Sequence, residues 1–350
     1  MSRAEIIVNP VDLEETATAL VTRGKGILAA DEPVAVISRR FAAHGLVSTA
    51  ETRRAYRELF FSTPGIAQFI GGVILHEETM FQQDSAGTPL VEVLLRQGIA
   101  PGVSVDRGTA PLPGSPEEHV TDGVDSLRDR LGEFVARGAR FAKWRASFSL
   151  NDSLPSPACL RANSIAIGRY AAICQERHVV PVVELALASG GSHTIERCEE
   201  AFGQVLRAVF DELHARRILL EGLVLQPDMI LPGAACLTPS TAMQIASATL
   251  RCLRRHVPAA VPVVVFRSSG QDHARATLHL GAINHITNRK PWVLSFAFGR
   301  ALQDEALDLW RGLDANRIAA QQGFYHRARC VSSAAVGRYT SALERPAAVG

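Results

Sequence analysis

Lysine is nearly missing from this 350-residue chain: Lys25, Lys143 and Lys290 stand against 34 arginines. Only an amine forms an imine, and arginine does not deprotonate in proteins, so Schiff-base chemistry has three candidate side chains. Excess charge of one sign is also missing. A net charge of +2 creates no global field for nucleic acid or an anionic membrane, and no nucleic-acid partner is expected. The six cysteines, Cys159, Cys174, Cys198, Cys236, Cys252 and Cys330, contain no C-x-x-C spacing and read as reduced, buried thiols. The opening Met1-Ser2-Arg3-Ala4-Glu5 lacks the apolar core of a signal peptide. One long stretch, Met229 to Leu250, carries no charge, but Pro232, Pro239 and several Ser and Thr argue against a membrane span. The expectation is a soluble, cytoplasmic protein.

What is present is an ordinary core. Hydrophobic residues make up 47% and charged residues 21%, which excludes disordered and fibrous classes. Apolar, often β-branched runs recur at Gly26–Ala30, Ile70–Leu75, Gly102–Val105, Ala139–Trp144, Val179–Leu185, Gly222–Leu225, Val261–Phe266 and Trp292–Phe298. Several run without alternation, as parallel strands covered on both faces do. Helix-period stretches separate them. Asn9-Pro10 and Thr238-Pro239 offer N-caps with proline at the first helical position, and Ser48-x-x-Glu51 reads as a capping box. Eight strands alternating with helices predict an α/β fold, a (β/α)8 TIM barrel forming one domain over residues 1–350. No Gly-x-Gly-x-x-Gly follows the first strand, which argues against a dinucleotide-binding fold. The longest loop is expected from Gly108 to Gly123, and the tail from about 340 to 350 is expected to be mobile.

In such a barrel the C-terminal ends of the strands carry chemistry. Here they read Asp31-Glu32, Asp106-Arg107, Lys143-Trp144-Arg145, Glu184, Gln226-Pro227-Asp228, Ser268-Ser269-Gly270 and Gly299-Arg300. An Asp, a Lys, a Glu and two Arg make an anion site with acid–base capacity. Arg40 is counted with the anion-binding residues.

These strand ends resemble the class I fructose-bisphosphate aldolases of the animal and plant type. The matching strings are Gly24-Lys25-Gly26-Ile27-Leu28-Ala29-Ala30-Asp31-Glu32, Ile70-Gly71-Gly72-Val73-Ile74-Leu75, Phe141-Ala142-Lys143-Trp144-Arg145, Val180-Pro181-Val182-Val183-Glu184, Leu220-Glu221-Gly222 and Gly299-Arg300-Ala301-Leu302-Gln303. The resemblance implies a TIM barrel and, commonly, a homotetramer, so a homo-oligomer is expected. It also implies departures. The family's strand-six segment reads Leu-Leu-Lys-Pro-Asn-Met, its lysine forming the Schiff base; here it is Val224-Leu225-Gln226-Pro227-Asp228-Met229. The family's second glutamate beside that lysine is replaced by Ala186. At the one-phosphate end, Ser268-Ser269-Gly270 and Gly299-Arg300 keep most of the family's cradle. At the six-phosphate end, hydroxyls and a lysine give way to Pro33, Val36 and Ser104.

The resemblance gives Lys143 and Glu184 proton transfer and Asp31 a part in C–C cleavage. Three readings stay open: an imine on Lys143; imine-free chemistry with Lys143 as acid, Glu184 or Asp31 as base and Gln226 donating to the substrate carbonyl; and a structural ion network without chemistry. The first two describe a diverged aldolase-like lyase acting on a small phosphorylated or anionic carbonyl compound. The third describes a ligand sensor or assembly partner. No cofactor is called for, and no metal: His273, His279 and His285 are six apart, and His76-Glu77-Glu78 has no second histidine four residues on.

Overall fold

The computed structural model describes residues 10–345, apart from 189 and 288. Its strands are β1 (Gly26–Ala30), β2 (Ile70–Leu75), β3 (Ala100–Ser104), β4 (Thr109–Leu112), β5 (Ser115–Thr121), β6 (Phe141–Phe148), β7 (Val180–Leu187), β8 (Val224–Pro227), β9 (Val263–Phe266) and β10 (Val293–Phe298). The helices are α1 (Pro10–Ala19), α2 (Val34–Ala43), α3 (Ala50–Phe61), α4 (Leu90–Arg96), α5 (Leu127–Ala136), α6 (Pro157–Glu176), α7 (Ile195–Ala215), α8 (Ala242–His256), α9 (His273–His285), α10 (Arg300–Trp310) and α11 (Arg317–Ala335). Eight strands close into a barrel in the order β1-β2-β3-β6-β7-β8-β9-β10, with helices between them: a (β/α)8 TIM barrel. Every residue of β2 and β7 is buried, as expected of parallel strands covered on both faces. Among the described residues, no helix is long and apolar enough to cross a membrane.

The contacts group into two compact units, one built chiefly on Val105–Val264, the other on Leu20–Ser104 with later segments of the chain. In the first unit, β6, β7 and β8 run in parallel register. Helix α6 starts from Ser156, whose side chain accepts from the Cys159 N–H, with proline in the first turn. In the second unit, β1 and β2 pair in parallel from Ile27↔Gly72 to Ala30↔Leu75. A side chain at Gly71 would put its Cβ 2.2 Å from the Leu20 carbonyl oxygen, so that crossing requires glycine.

The structure corrects several expectations. The predicted loop from Gly108 to Gly123 holds an antiparallel hairpin, β4 against β5, turned at Gly114 with φ +81°. The helix cap expected at Ser48 belongs to Thr49, which accepts from the Thr52 N–H at 3.0 Å. The cap expected at Thr238 lies at Thr241, in a capping box with Gln244. Asn9 lies outside the described residues. Lys143 and Glu184 sit inside their strands, which run on to Phe148 and Leu187. Of the tail from about 340 to 350, residues 346–350 lie outside the described residues. Within it Glu344, in a short 3-10 turn, accepts from the buried Arg327 (Nη2, 2.8 Å) and from the Tyr339 hydroxyl (2.7 Å). The cysteines are free thiols as expected, five buried and Cys236 partly exposed.

Candidate active site

The first unit places its charged side chains by strand register. Arg145 on β6 pairs with Glu184 on β7, and Glu184 with Gln226 on β8, so the three stand side by side across neighbouring strands. Lys143, two residues before Arg145, lies on the same face. Its Nζ is 2.7 Å from Glu184 Oε2, and the two side chains are 7% and 4% exposed. Arg145 Nε reaches the other Glu184 oxygen at 3.4 Å while its own side chain stays half exposed. The Gln226 carbonyl oxygen is buried and has no hydrogen-bond partner among the described residues. Beyond it, Asp228 accepts from the Leu187 N–H at 2.8 Å.

A tyrosine holds these strands from behind. Tyr170 of α6 donates to the Ala142 carbonyl at 2.6 Å and accepts from the Val182 N–H at 3.0 Å, joining β6 to β7 where Lys143 and Val182 are paired. Its ring stacks on Trp144, centroids 5.5 Å apart. Burial holds the Tyr170 hydroxyl well above its ordinary pKa, so it stays a neutral donor. Ala142 and Trp144 point outward to α6, and alternation then turns Lys143 inward.

The second unit holds most of the residues expected from the sequence to bind an anion. Ser269 and Gly270 have φ of 52° and 77°, a turn of the kind that groups successive amides into an anion-binding concavity. The Gln271 backbone N–H (2.9 Å) and side-chain amide (3.0 Å) both donate to the Ser268 carbonyl. Buried His279 of α9 supports that loop, its Nδ1–H donating to Gln271 Oε1. Burial, then the Arg275 charge, pushes the His279 pKa down to about 4. Gly299 is the N-cap of α10 and Arg300 its first residue, so a guanidinium and a helix N-terminus coincide. Gln303 fixes this helix by donating to the Ala29 carbonyl at 2.7 Å, one residue before β1 ends and two before Asp31.

Arg40 has a different setting from the one its sequence position suggests. It is ion-paired with Glu32 and with Asp304 (2.6 Å), and it donates to the Tyr56 hydroxyl at 3.3 Å. Its charge is therefore already matched within the fold. Sequence reasoning missed Tyr170 and His279, whose partners lie in other elements.

The family profile described as fructose-bisphosphate aldolase class-I matches residues 12–349 of the chain. A Dictyostelium discoideum protein named fructose-bisphosphate aldolase is 45% identical over 332 residues, covering 94% of this chain and 93% of that one. An Arabidopsis thaliana protein named "Fructose-bisphosphate aldolase 4, cytosolic" is 43% identical over 333 residues, covering 95% and 85%. Among solved structures, a Plasmodium falciparum fructose-bisphosphate aldolase superposes with a TM-score of 0.93 at 40% identity, covering 97% of both chains.

Proposed function

This chain belongs to the class I fructose-bisphosphate aldolase family, and from that premise we propose that it is a lyase with an altered mechanism, acting on a small phosphorylated carbonyl compound without an imine at position 226. The carrying observation is the buried Lys143–Glu184 pair beside Gln226. An amide nitrogen cannot condense with a carbonyl, and an ammonium paired to a carboxylate offers no lone pair for attack. Proton transfer is what the pair can do. Lys143 gives a proton to the oxygen on which charge develops as a C–H or C–C bond α to the carbonyl breaks. A carboxylate, Glu184 or Asp31, takes the released proton, from carbon where the C–H bond breaks and from the β-hydroxyl oxygen where the bond between the α and β carbons breaks. The Gln226 amide N–H then steadies the developing oxyanion. The phosphate is assigned to Ser268, Ser269, Gly270, Gly299 and Arg300, where turn amides, hydroxyls and a guanidinium are available. Arg145 tunes the pair through Glu184. The whole chain is taken as one domain, cytosolic like the Arabidopsis relative's name, and assembled from identical copies as its family resemblance implies.

The test is exchange of the C3 protons of dihydroxyacetone phosphate with deuterated water, followed by NMR, alongside borohydride trapping and peptide mapping. We expect exchange without an adduct, and a loss of about 10²–10⁴-fold in Lys143→Met, the usual contribution of a positioned acid or base. Exchange undiminished in that variant would remove Lys143 from the mechanism. An adduct on Lys143 would replace this route with a relocated imine. Binding without exchange in the unaltered protein would leave a ligand-binding barrel.

A further inference from the structure

The end of β2 holds a histidine that the mechanism above does not use. His76 follows the last residue of β2, and the register Ala30↔Leu75 and Leu75↔Val103 sets it between Asp31, which follows β1, and Ser104, which ends β3. Its ring is fixed from one side: Nδ1 accepts the Glu78 N–H at 3.1 Å, capping the short turn Glu77–Phe81. In the neutral ring the proton therefore sits on Nε2, which becomes a donor of set direction. Burial and the Arg57 charge lower the His76 pKa, while Glu78, Asp31 and Glu77 act the other way.

Arg57 of α3 supplies a second donor. Three arginines lie close together on this helix, and two are satisfied. Arg53 is held by both oxygens of Glu78 (2.8 and 2.5 Å), and Arg54 by Glu51 (2.6 Å) and Glu58. Arg57 is only 2% exposed, yet its Nη1 is buried with no hydrogen-bond partner among the described residues. Its guanidinium lies 5.9 Å from the centre of the Tyr56 ring, whose hydroxyl reaches Gln303 (3.2 Å) and through it the Ala29 carbonyl of β1. Arg53, one turn earlier on the helix, grips Glu78, two residues past His76. Arg57 is thereby placed by the ends of β1 and β2. A buried, charged donor without an acceptor is rare in folded proteins and calls for something to supply one.

We propose that Arg57 and His76 form a subsite for the carboxylate of a small 2-oxo acid, the second half of the ligand whose phosphorylated half is taken by Ser268, Ser269, Gly270, Gly299 and Arg300. This rests on that reading of the barrel as a carbonyl-binding site. One guanidinium N–H and one imidazole N–H match the two oxygens of a planar carboxylate. The flanking carboxylates of Asp31 and Glu32 disfavour a doubly charged phosphate more than a singly charged carboxylate.

The experiment is calorimetric titration of the intact protein with glyoxylate and, separately, with uncharged glycolaldehyde, without dihydroxyacetone phosphate. We expect glyoxylate to bind at least about tenfold more tightly, the range of one charge-assisted hydrogen bond. His76→Phe and Arg57→Gln each erase that preference, and His76→Gln, which keeps an N–H donor, restores part of it. Arg57→Gln acts on a buried residue and can fail to fold, so the two His76 variants carry the test alone if it does. No preference in the unaltered protein, or a preference that survives His76→Phe, overturns the proposal. Because dihydroxyacetone phosphate is absent, loss of its proton exchange bears on Lys143 alone, and loss of carboxylate preference bears on this subsite alone.

Discussion

Replacing one member of the Lys143–Glu184 pair at a time should cost more than replacing both. At 2.7 Å two unit charges attract by about 6 kcal/mol at an effective dielectric of about 20. Desolvation offsets much of that, since both side chains are almost fully buried. Lys143→Met leaves Glu184 with the half-exposed Arg145 at 3.4 Å, a contact worth about 1 kcal/mol at most. Glu184→Leu takes away the carboxylate that lies 2.7 Å from the buried ammonium. Each single variant should therefore lose about 3–5 kcal/mol, while the double Lys143→Met/Glu184→Leu variant, apolar on both sides, should lie within about 1 kcal/mol of the parent. The assay is urea unfolding read by tryptophan fluorescence and far-UV circular dichroism, with coincidence of the two transitions checked first. Trp144, next to Lys143 in β6, reports on the same strand. If the double variant is as unstable as the sum of the singles, the two charges are not coupled, and the reading of them as one proton-transferring unit fails with it.

Two further outcomes follow from the supporting residues. Tyr170→Phe should cost about 1–3 kcal/mol by stranding the Val182 N–H and the Ala142 carbonyl, seen as a lower urea midpoint; an unchanged midpoint would show that the hydroxyl does not tie the strands. His279 has a folded pKa of about 4 against about 6.5 unfolded, so the unfolded chain binds more protons between those values. Its contribution is complete above about pH 6.5 and lost as pH falls toward 4, about 1–2 kcal/mol after screening; His279→Gln should flatten stability across that window, and an unaltered slope would refute the assignment.

The barrel was legible because its strands are buried on both faces, and a run such as Ile70–Leu75 leaves no other home for six apolar or small residues. The hairpin was not legible. Its strand residues are a mixture of exposed, half-buried and buried positions with no apolar stripe, Pro111 and Pro116 interrupt it, and its pairing is set by register rather than by hydrophobicity. Caps shifted by one residue at Thr49 and by three at Thr241 because neighbouring hydroxyl side chains compete for the same amides. Lys143, Glu184 and Gln226 could be picked out because their strands could be aligned with those of a known family. Arg40 shows the limit of that approach, since its partner Asp304 is 264 residues away and its charge balance is invisible along the chain. Tyr170 and His279 escaped for the same reason: each acts through a partner in another element.

The hairpin leaves and rejoins the chain at one place. The Arg107 N–H donates to the Asp122 carbonyl, and the Asp122 N–H to the Gly108 carbonyl, both at 2.9 Å. Its base is tied to the barrel through Thr121, whose hydroxyl donates to the Arg145 carbonyl at 2.7 Å. Residues added at the Gly114 tip therefore lengthen a loop whose ends are already closed, and each doubling of such a loop costs only about 0.6 kcal/mol. The two ends of this small element evolve under different rules. Its tip can drift in length and character at little expense, whereas a change at Thr121 is felt on the strand that carries Lys143.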